Sequence, residues 1–117
     1  MTAREIAALA VQALEDKKAG DIKALDISTV STLGDYFVLC EGTSTTQVKA
    51  LADQVDFFLG QNGVEPDRIE GYQSAGWIVL DYGDVIVHVF HKESREFYGL
   101  ERLWADGKPV AIDELKK

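Results

Sequence analysis

Apolar side chains near the N-terminus recur at helical spacing. Between residues 6 and 14 they repeat at intervals of three and four, which is typical of an amphipathic helix. Upstream, Thr2 and Glu5 have the spacing of a capping box, in which a hydroxyl and a carboxylate satisfy free N–H groups of the first turn. Residues 17–20 contain two lysines and a glycine, which are residue types that favour the C-terminus of a helix. The pattern predicts a first helix that ends near Lys18.

Two predicted strands follow this helix. Residues 22–27 carry the Leu25 and Ile27 alternation of a strand, and the polar pairs Ser28-Thr29 and Ser31-Thr32 end that run. Residues 35–40 are almost continuously apolar and rich in aromatic and branched side chains. Such a run is typical of a strand buried on both faces of a sheet. Residues 35–40 are therefore the predicted central strand.

The second helix has a start signal, an apolar face and a stop signal. Ser44 and Gln47 form a second capping box. From Val48 to Leu59 the apolar residues fall on one face, and Gly63 permits a left-handed C-terminal cap. This helix is expected to pack flat on the sheet.

The clearest signal in the second half of the chain is a hairpin. Residues 77–80 and 85–90 are rich in branched apolar side chains and are separated by Asp81-Tyr82-Gly83-Asp84. Gly83 permits the positive φ that tight hairpin turns need. Residues 77–90 are therefore predicted to form two antiparallel strands.

Weaker patterns flank this hairpin. Residues 68–74 are consistent with a short edge strand interrupted by Gly71, and residues 93–98 with a short helix closed by Gly99, which residues 100–104 extend. Helices and strands in this order predict an α/β fold, with helices packed on a mixed sheet of about five strands.

Composition is consistent with one domain. The 117 residues are 46% hydrophobic and 27% charged, which is ordinary for a globular protein, and two separate cores would each be small. We expect a single domain over residues 1–104 and a partly ordered C-terminal tail over residues 105–117.

Charge and cysteine content narrow the classes of partner and compartment. Twenty acidic and twelve basic side chains give a net charge of −8, which disfavours nucleic-acid binding and favours a basic partner. The sequence has neither an apolar run long enough to cross a bilayer nor a signal-peptide pattern. Its single cysteine, Cys40, cannot form an internal disulfide. We expect a cytoplasmic protein.

Two short motifs are candidate ligand sites. Gly42-Thr43-Ser44 at a helix start could hold a phosphate, and Asp81 with Asp84 could chelate magnesium. Together they define an alternative function, a nucleotide-binding or nucleotidyltransferase-like enzyme. Helix capping and turn formation explain the same residues. A two-metal transferase also needs converging carboxylates, and the sequence has no Asp-x-Asp pair beside its Gly-Thr-Ser turn. We therefore expect no enzyme.

Histidine and cysteine do not form a recognisable site. His88, His91 and Cys40 lack the spacing of zinc ligands, and Cys40 lies in the most apolar predicted strand, where a thiol is inert. His88 shares a strand face with Ile86 and Phe90. It is either a satisfied half-buried histidine or part of an interface. The sequence predicts no catalytic residue, cofactor or metal.

Large aromatic side chains are concentrated in the last third of the chain. Such residues dominate the energetics of protein interfaces when exposed and fill the core when buried, and the pattern leaves both interpretations open. They are Trp77, Tyr82, Phe90, Phe97, Tyr98 and Trp104.

Three ordered motifs resemble those of the ribosomal silencing factor, or Iojap-like, family. The first is DYFVLCEGTS at residues 35–44 together with QVKA at residues 47–50, the second is WIVLDYGDVIVHVF at residues 77–90, and the third is REFYGLERLW at residues 95–104. Glu41 and Gly99 are minor departures. The resemblance spans nearly the whole predicted domain.

The resemblance implies a nucleotidyltransferase-like fold without established transferase activity. It also implies homodimers and binding to universal large-subunit ribosomal protein fourteen, where the small subunit would otherwise dock. We therefore expect a repressor of translation that blocks subunit joining sterically and uses no cofactor. Trp77 is the preferred anchor, because an indole at a strand start can bury apolar area and keep its N–H for a partner. The expected partner-binding residues are Trp77, Tyr82, Asp84, His88, Phe90, Arg95, Tyr98 and Glu101.

Overall fold

The N-terminal helix begins at the predicted capping box. The computed structural model describes residues 1–29, 32, 34–94 and 107–116, and its first helix, α1, spans Ala3–Asp16. The Glu5 N–H donates to Thr2 Oγ1 at 3.1 Å, and the Thr2 N–H donates to Glu5 Oε1 at 3.0 Å. The hydrogen bonds that its carboxylate accepts from Thr2, the backbone one foremost, hold the pKa of Glu5 below its usual range. The predicted helix start is confirmed, and Lys17 caps the other end.

Within the described residues, six strands form one mixed sheet in the order β3-β4-β5-β2-β1-β6. Only β2 and β5 pair in parallel; the other neighbours are antiparallel. The α/β class and the central position of residues 35–40 are confirmed. The strands are β1 (Gly20–Asp26), β2 (Tyr36–Gly42), β3 (Arg68–Glu70), β4 (Trp77–Asp81), β5 (Val85–His91) and β6 (Lys108–Val110), and the later helices are α2 (Thr45–Gln61) and α3 (Ile112–Leu115).

Helix α2 follows β2 through a capped loop. Ser44 accepts the Gln47 N–H, as predicted, at 3.1 Å. The Gln47 side chain, however, accepts the backbone N–H of Thr43 at 2.7 Å. It therefore does not complete the capping box by accepting the N–H of Ser44. Gly63 follows the helix with φ +79° and confirms the left-handed stop signal. No helix in the described ranges is long and apolar enough to span a bilayer.

The central strands are buried on both faces. Helices α1 and α2 pack against one face, where Val38 and Cys40 of β2 contribute to the larger hydrophobic cluster. Phe37 and Leu39 alternate with them and contribute to a second cluster on the opposite face. This two-sided burial is the physical reason for the continuous apolar run in the sequence.

The segment predicted as a tail contributes two elements to the fold. Strand β6 pairs with β1, and α3 contacts α1 through Leu115, which is only 2% exposed. Lys116 forms an ion pair with Glu15, and Arg4 donates to the Glu114 carbonyl at 2.6 Å. Strand β6 is the strand that the hydrophobic pattern did not predict. Residues 95–106, which include most of the predicted short helix, lie outside the described residues.

Candidate interaction surface

The hairpin of β4 and β5 places several aromatic rings on one sheet face. Its register pairs Trp77 with Phe90 and Val79 with His88. Because side chains alternate along a strand, Trp77, His88 and Phe90 lie opposite the face that α1 and α2 cover. Phe37 of β2 joins them. We call this cluster, defined by Phe37, Trp77, His88 and Phe90, the aromatic face.

Trp77 is half-buried, and its contacts include His88 and Phe90. Its indole Nε1–H donates to His88 Nδ1 at 3.0 Å. Its ring stacks on Phe90 with centroids 5.5 Å apart and planes 20° from parallel. The expectation that the indole N–H remains free for a partner was therefore wrong, because His88 already accepts it. The indole is only half-buried, so it can contribute apolar area to a contact.

His88 is buried more deeply than either sequence interpretation required. It is 4% exposed, and burial lowers its pKa to about 3, so the ring is neutral at physiological pH. Its ring meets Phe37 edge-on at a centroid distance of 4.5 Å. Nε2 is buried and has no hydrogen-bond partner among the described residues. His88 is thus partly satisfied through Nδ1, and its side chain is inaccessible to a partner in this conformation.

Among the predicted contact residues that the structure describes, Tyr82 and Asp84 lie away from Trp77. Phe90 is fully buried, and Tyr82 packs in the cluster on the helix side of the sheet. Burial and the nearby carboxylates of Asp56 and Glu65 raise the pKa of Tyr82. Asp84 is exposed, but it lies in the hairpin turn. This turn follows the end of β4 opposite to Trp77. The predicted contacts at Arg95, Tyr98 and Glu101 lie outside the described residues.

The Gly42-Thr43-Ser44 loop is occupied by its own capping interactions. Thr43 donates both its backbone N–H and its hydroxyl to Gln47 Oε1, at 2.7 and 3.0 Å. The Ser44 hydroxyl accepts the Gln47 N–H. The Thr43 N–H and hydroxyl, two donors that a phosphate could use, are therefore already hydrogen-bonded within the loop, which favours capping.

The two halves of the alternative enzyme site lie at opposite ends of the sheet. Gly42 pairs with His91 at one end of β5, whereas the turn that contains Asp81 and Asp84 leads into Val85 at the other end. Because β5 has 7 residues, these ends are about 20 Å apart. One nucleotide phosphate group and its metal cannot bridge that distance.

Asp81 is engaged in local structure. Its Oδ1 accepts the Gly83 N–H at 2.8 Å, and its Oδ2 accepts from Arg68 Nε at 3.3 Å. The first bond is the turn interaction that the sequence offered as the alternative to metal binding. Across the described ranges, no group of three or more histidine, cysteine or acidic side chains is placed to hold a metal ion. Cys40 is fully buried.

The Trp77–His88 hydrogen bond was not predicted, although a signal for it exists. Tyr82 donates its N–H to the Val85 carbonyl at 2.9 Å, so the loop proper is the two-residue turn Gly83-Asp84. Two-residue loops fix the register of a hairpin. Counting outward from that turn pairs Trp77 with Phe90 and brings the indole beside His88.

Comparisons with known proteins agree with this fold and with the sequence motifs. The chain matches the family model described as "Ribosomal silencing factor during starvation" over residues 1–117. A ribosomal silencing factor of Halalkalibacterium halodurans is 42% identical over 113 residues, which are 97% of this chain and 97% of the relative. A crystal structure of a protein from Chromobacterium violaceum has a TM-score of 0.87 at 42% identity, and the match covers 90% of this chain and 88% of that one.

A more distant relative carries a name that mentions the ribosome. The mouse protein "Mitochondrial assembly of ribosomal large subunit protein 1" is 31% identical over 97 residues, which are 80% of this chain and 42% of the mouse protein. The matched family model, the bacterial relative and the shared fold all cover most or all of the chain. The protein belongs to the ribosomal silencing factor family.

Proposed function

We propose that this protein binds the large ribosomal subunit through universal large-subunit ribosomal protein fourteen and sterically prevents the small subunit from joining. Family membership supports the silencing role, and the name of the mouse relative supports a large-subunit partner. On this proposal the protein acts in the cytoplasm, represses translation, uses no cofactor and reads no nucleic-acid sequence. Steric exclusion needs only a stable docked complex, so no chemical step is involved.

The half-buried Trp77 is the observation that carries the choice of docking surface. Stacking on Phe90 and the bond to His88 hold the indole in one orientation, so little side-chain freedom remains to be lost on binding. Tryptophan in such a setting is the residue type most often found at interface hot spots. The indole supplies apolar contact area, because its N–H is donated within the chain.

Charge supports a basic partner. The net charge of −8 produces long-range attraction toward a basic ribosomal protein. Asp84 is exposed in the hairpin turn, where it can meet a cation. An exposed ion pair of this kind mainly increases the association rate and weakens as salt rises.

The decisive experiment replaces Trp77 and compares it with an exposed aromatic elsewhere. Trp77→Ala is expected to weaken binding by about 2 kcal/mol or more, about thirtyfold, in titration against the isolated ribosomal protein. Phe57→Ala is the matched control, because Phe57 is 62% exposed on α2. Its binding should be unchanged. Circular dichroism checks that both variants fold, and density gradients with both subunits measure joining.

Two results would count against this docking surface. A folded Trp77→Ala variant that binds normally and still prevents subunit joining places the anchor elsewhere. Equal losses in Trp77→Ala and Phe57→Ala would indicate a nonspecific effect of removing an aromatic ring. The electrostatic part is tested with Asp84→Lys, which should weaken binding at low salt and resemble the native protein at high salt.

A further inference from the structure

The hydrogen bond between Trp77 and His88 fixes the protonation state of both rings. An indole Nε1–H can only donate, so the accepting Nδ1 of His88 carries no proton. The neutral imidazole must then carry its proton on Nε2. That N–H is buried and has no acceptor within the described part of the chain. His88 therefore uses one nitrogen and leaves the other unsatisfied.

Packing locks the imidazole in place. Phe37 meets it edge-on at 4.5 Å between centroids, and Phe90 lies nearly parallel to it at 6.2 Å. Phe90 also stacks on Trp77. The imidazole cannot turn without disturbing these rings, so the position of Nδ1 is set by the core of the sheet.

An apolar side chain could occupy the same space without leaving a buried N–H unsatisfied. Packing alone therefore gives no reason for an imidazole at this position. What the imidazole adds is a hydrogen-bond acceptor beside the indole of Trp77. Since His88 is only 4% exposed, that acceptor serves the chain itself rather than a docked partner.

We propose that His88 is a positioning residue for ribosome binding: its Nδ1 holds the half-buried indole of Trp77 in the docking orientation, and His88 itself makes no contact with the partner. This inference rests on the proposed function, in which Trp77 is the anchor. It assigns His88 a role different from that of a docking side chain.

The test compares two substitutions of nearly equal shape. His88→Asn keeps an acceptor close to the position of Nδ1, whereas His88→Leu fills a similar volume and has no acceptor. Both remove Nε2, and the amide N–H groups that asparagine adds to the buried site would work against the expected result rather than produce it. Binding to isolated large subunits should weaken about three- to tenfold in His88→Leu, the effect of one net hydrogen bond, and stay within about twofold of the native protein in His88→Asn.

A spectroscopic signature reports on the indole independently of binding. The Nε1–H resonance of Trp77, assigned by its disappearance in Trp77→Phe, should keep its shift and slow exchange in His88→Asn. In His88→Leu it should move and exchange faster, because the bond to Nδ1 is gone. An unchanged resonance in His88→Leu would show that His88 does not hold the indole.

A double variant provides a second route if the leucine variant folds poorly. Trp77→Phe removes the N–H, so adding His88→Asn or His88→Leu to it should give two proteins that bind equally. A difference between them as large as in the native background would overturn the proposal, because no indole would remain to be positioned.

The remaining outcomes separate this inference from the docking proposal. If Trp77→Ala loses binding while His88→Leu binds normally, the positioning role is wrong and the docking surface stands. If His88→Asn and His88→Leu lose binding equally, the acceptor is not the important feature and the positioning role is again wrong. If Trp77→Ala binds normally, the docking surface itself is wrong and the positioning role falls with it, whatever the resonance shows.

Discussion

Acidification should destabilise the fold through His88 before most carboxylates are protonated. The ring is neutral in the folded protein because burial lowers its pKa from 6.5 to about 3. In the unfolded chain the same ring takes up a proton near pH 6.5. Between these values the unfolded state binds more protons, so the free energy of unfolding falls as pH falls and is fully restored above about pH 6.5.

The slope follows from the linkage relation. One proton corresponds to about 1.4 kcal/mol per pH unit, so acidification from pH 7 to pH 5 should remove about 2 kcal/mol. Burial causes the shift, because Val79 and Leu39 flank His88 across the sheet and the charged Glu70 and Lys23 lie one strand further away. Asp26 and Glu5 also have lowered pKa values, but their contributions are lost at a lower pH.

Urea unfolding at several pH values between 5 and 7.5 measures this slope. His88→Leu should remove it, whereas His91→Asn, which alters the other histidine, should retain it. A native protein whose free energy of unfolding is constant over this range would refute the buried neutral histidine. A slope that persists in His88→Leu would assign the proton uptake to another group.

Three further predictions test the packing and assembly of the chain. Leu115→Ala should lower the free energy of unfolding by about 2–4 kcal/mol in urea titrations, because this side chain is buried against α1. A loss below about 0.5 kcal/mol would mean that α3 is dispensable for the stability of the fold. Gly63 and Gly71 share a φ near +80°, but of the two only Gly71 would bring a new Cβ against a backbone atom, the Trp77 carbonyl oxygen. Gly63→Ala should therefore lose about 1–2 kcal/mol and Gly71→Ala distinctly more, and equal losses in thermal unfolding would contradict the close approach. Light scattering at micromolar concentration should give twice the chain mass, as expected for a homodimer, and a mass of one chain would reject that expectation.

Much of the fold follows from local patterns. The start of α1, the end of α2 and the hairpin at Gly83 each depend on residues close together in the sequence, and the structure confirms them. The double-sided burial of β2 is also visible as a continuous apolar run. The three motifs were sufficient to identify the family. Several motifs in a fixed order over most of a chain are specific to a family, even though no single residue is specific by itself.

The elements that sequence patterns did not predict depend on distant partners. Strand β6 has 3 residues and includes a proline, so its strand character comes from pairing with β1 rather than from its own composition. Helix α3 has 4 residues and is held by Leu115 against a helix from the other end of the chain. Isolated helices this short are unstable in water, so only tertiary packing can form one here.

At the candidate site, too, some features follow from the sequence and others only from the tertiary structure. The sequence by itself identified Trp77, His88 and Phe90 as residues of interest and placed His88 on the face of Phe90. Only the tertiary structure decided that His88 is buried, that its Nδ1 accepts the indole N–H, and that Tyr82 lies on the helix side of the sheet. It also separated Gly42 from Asp81 by the length of a strand. Periodicity assigns a side chain to a face, but burial and hydrogen bonding depend on the strands and helices that pack around it, and these come from distant parts of the chain.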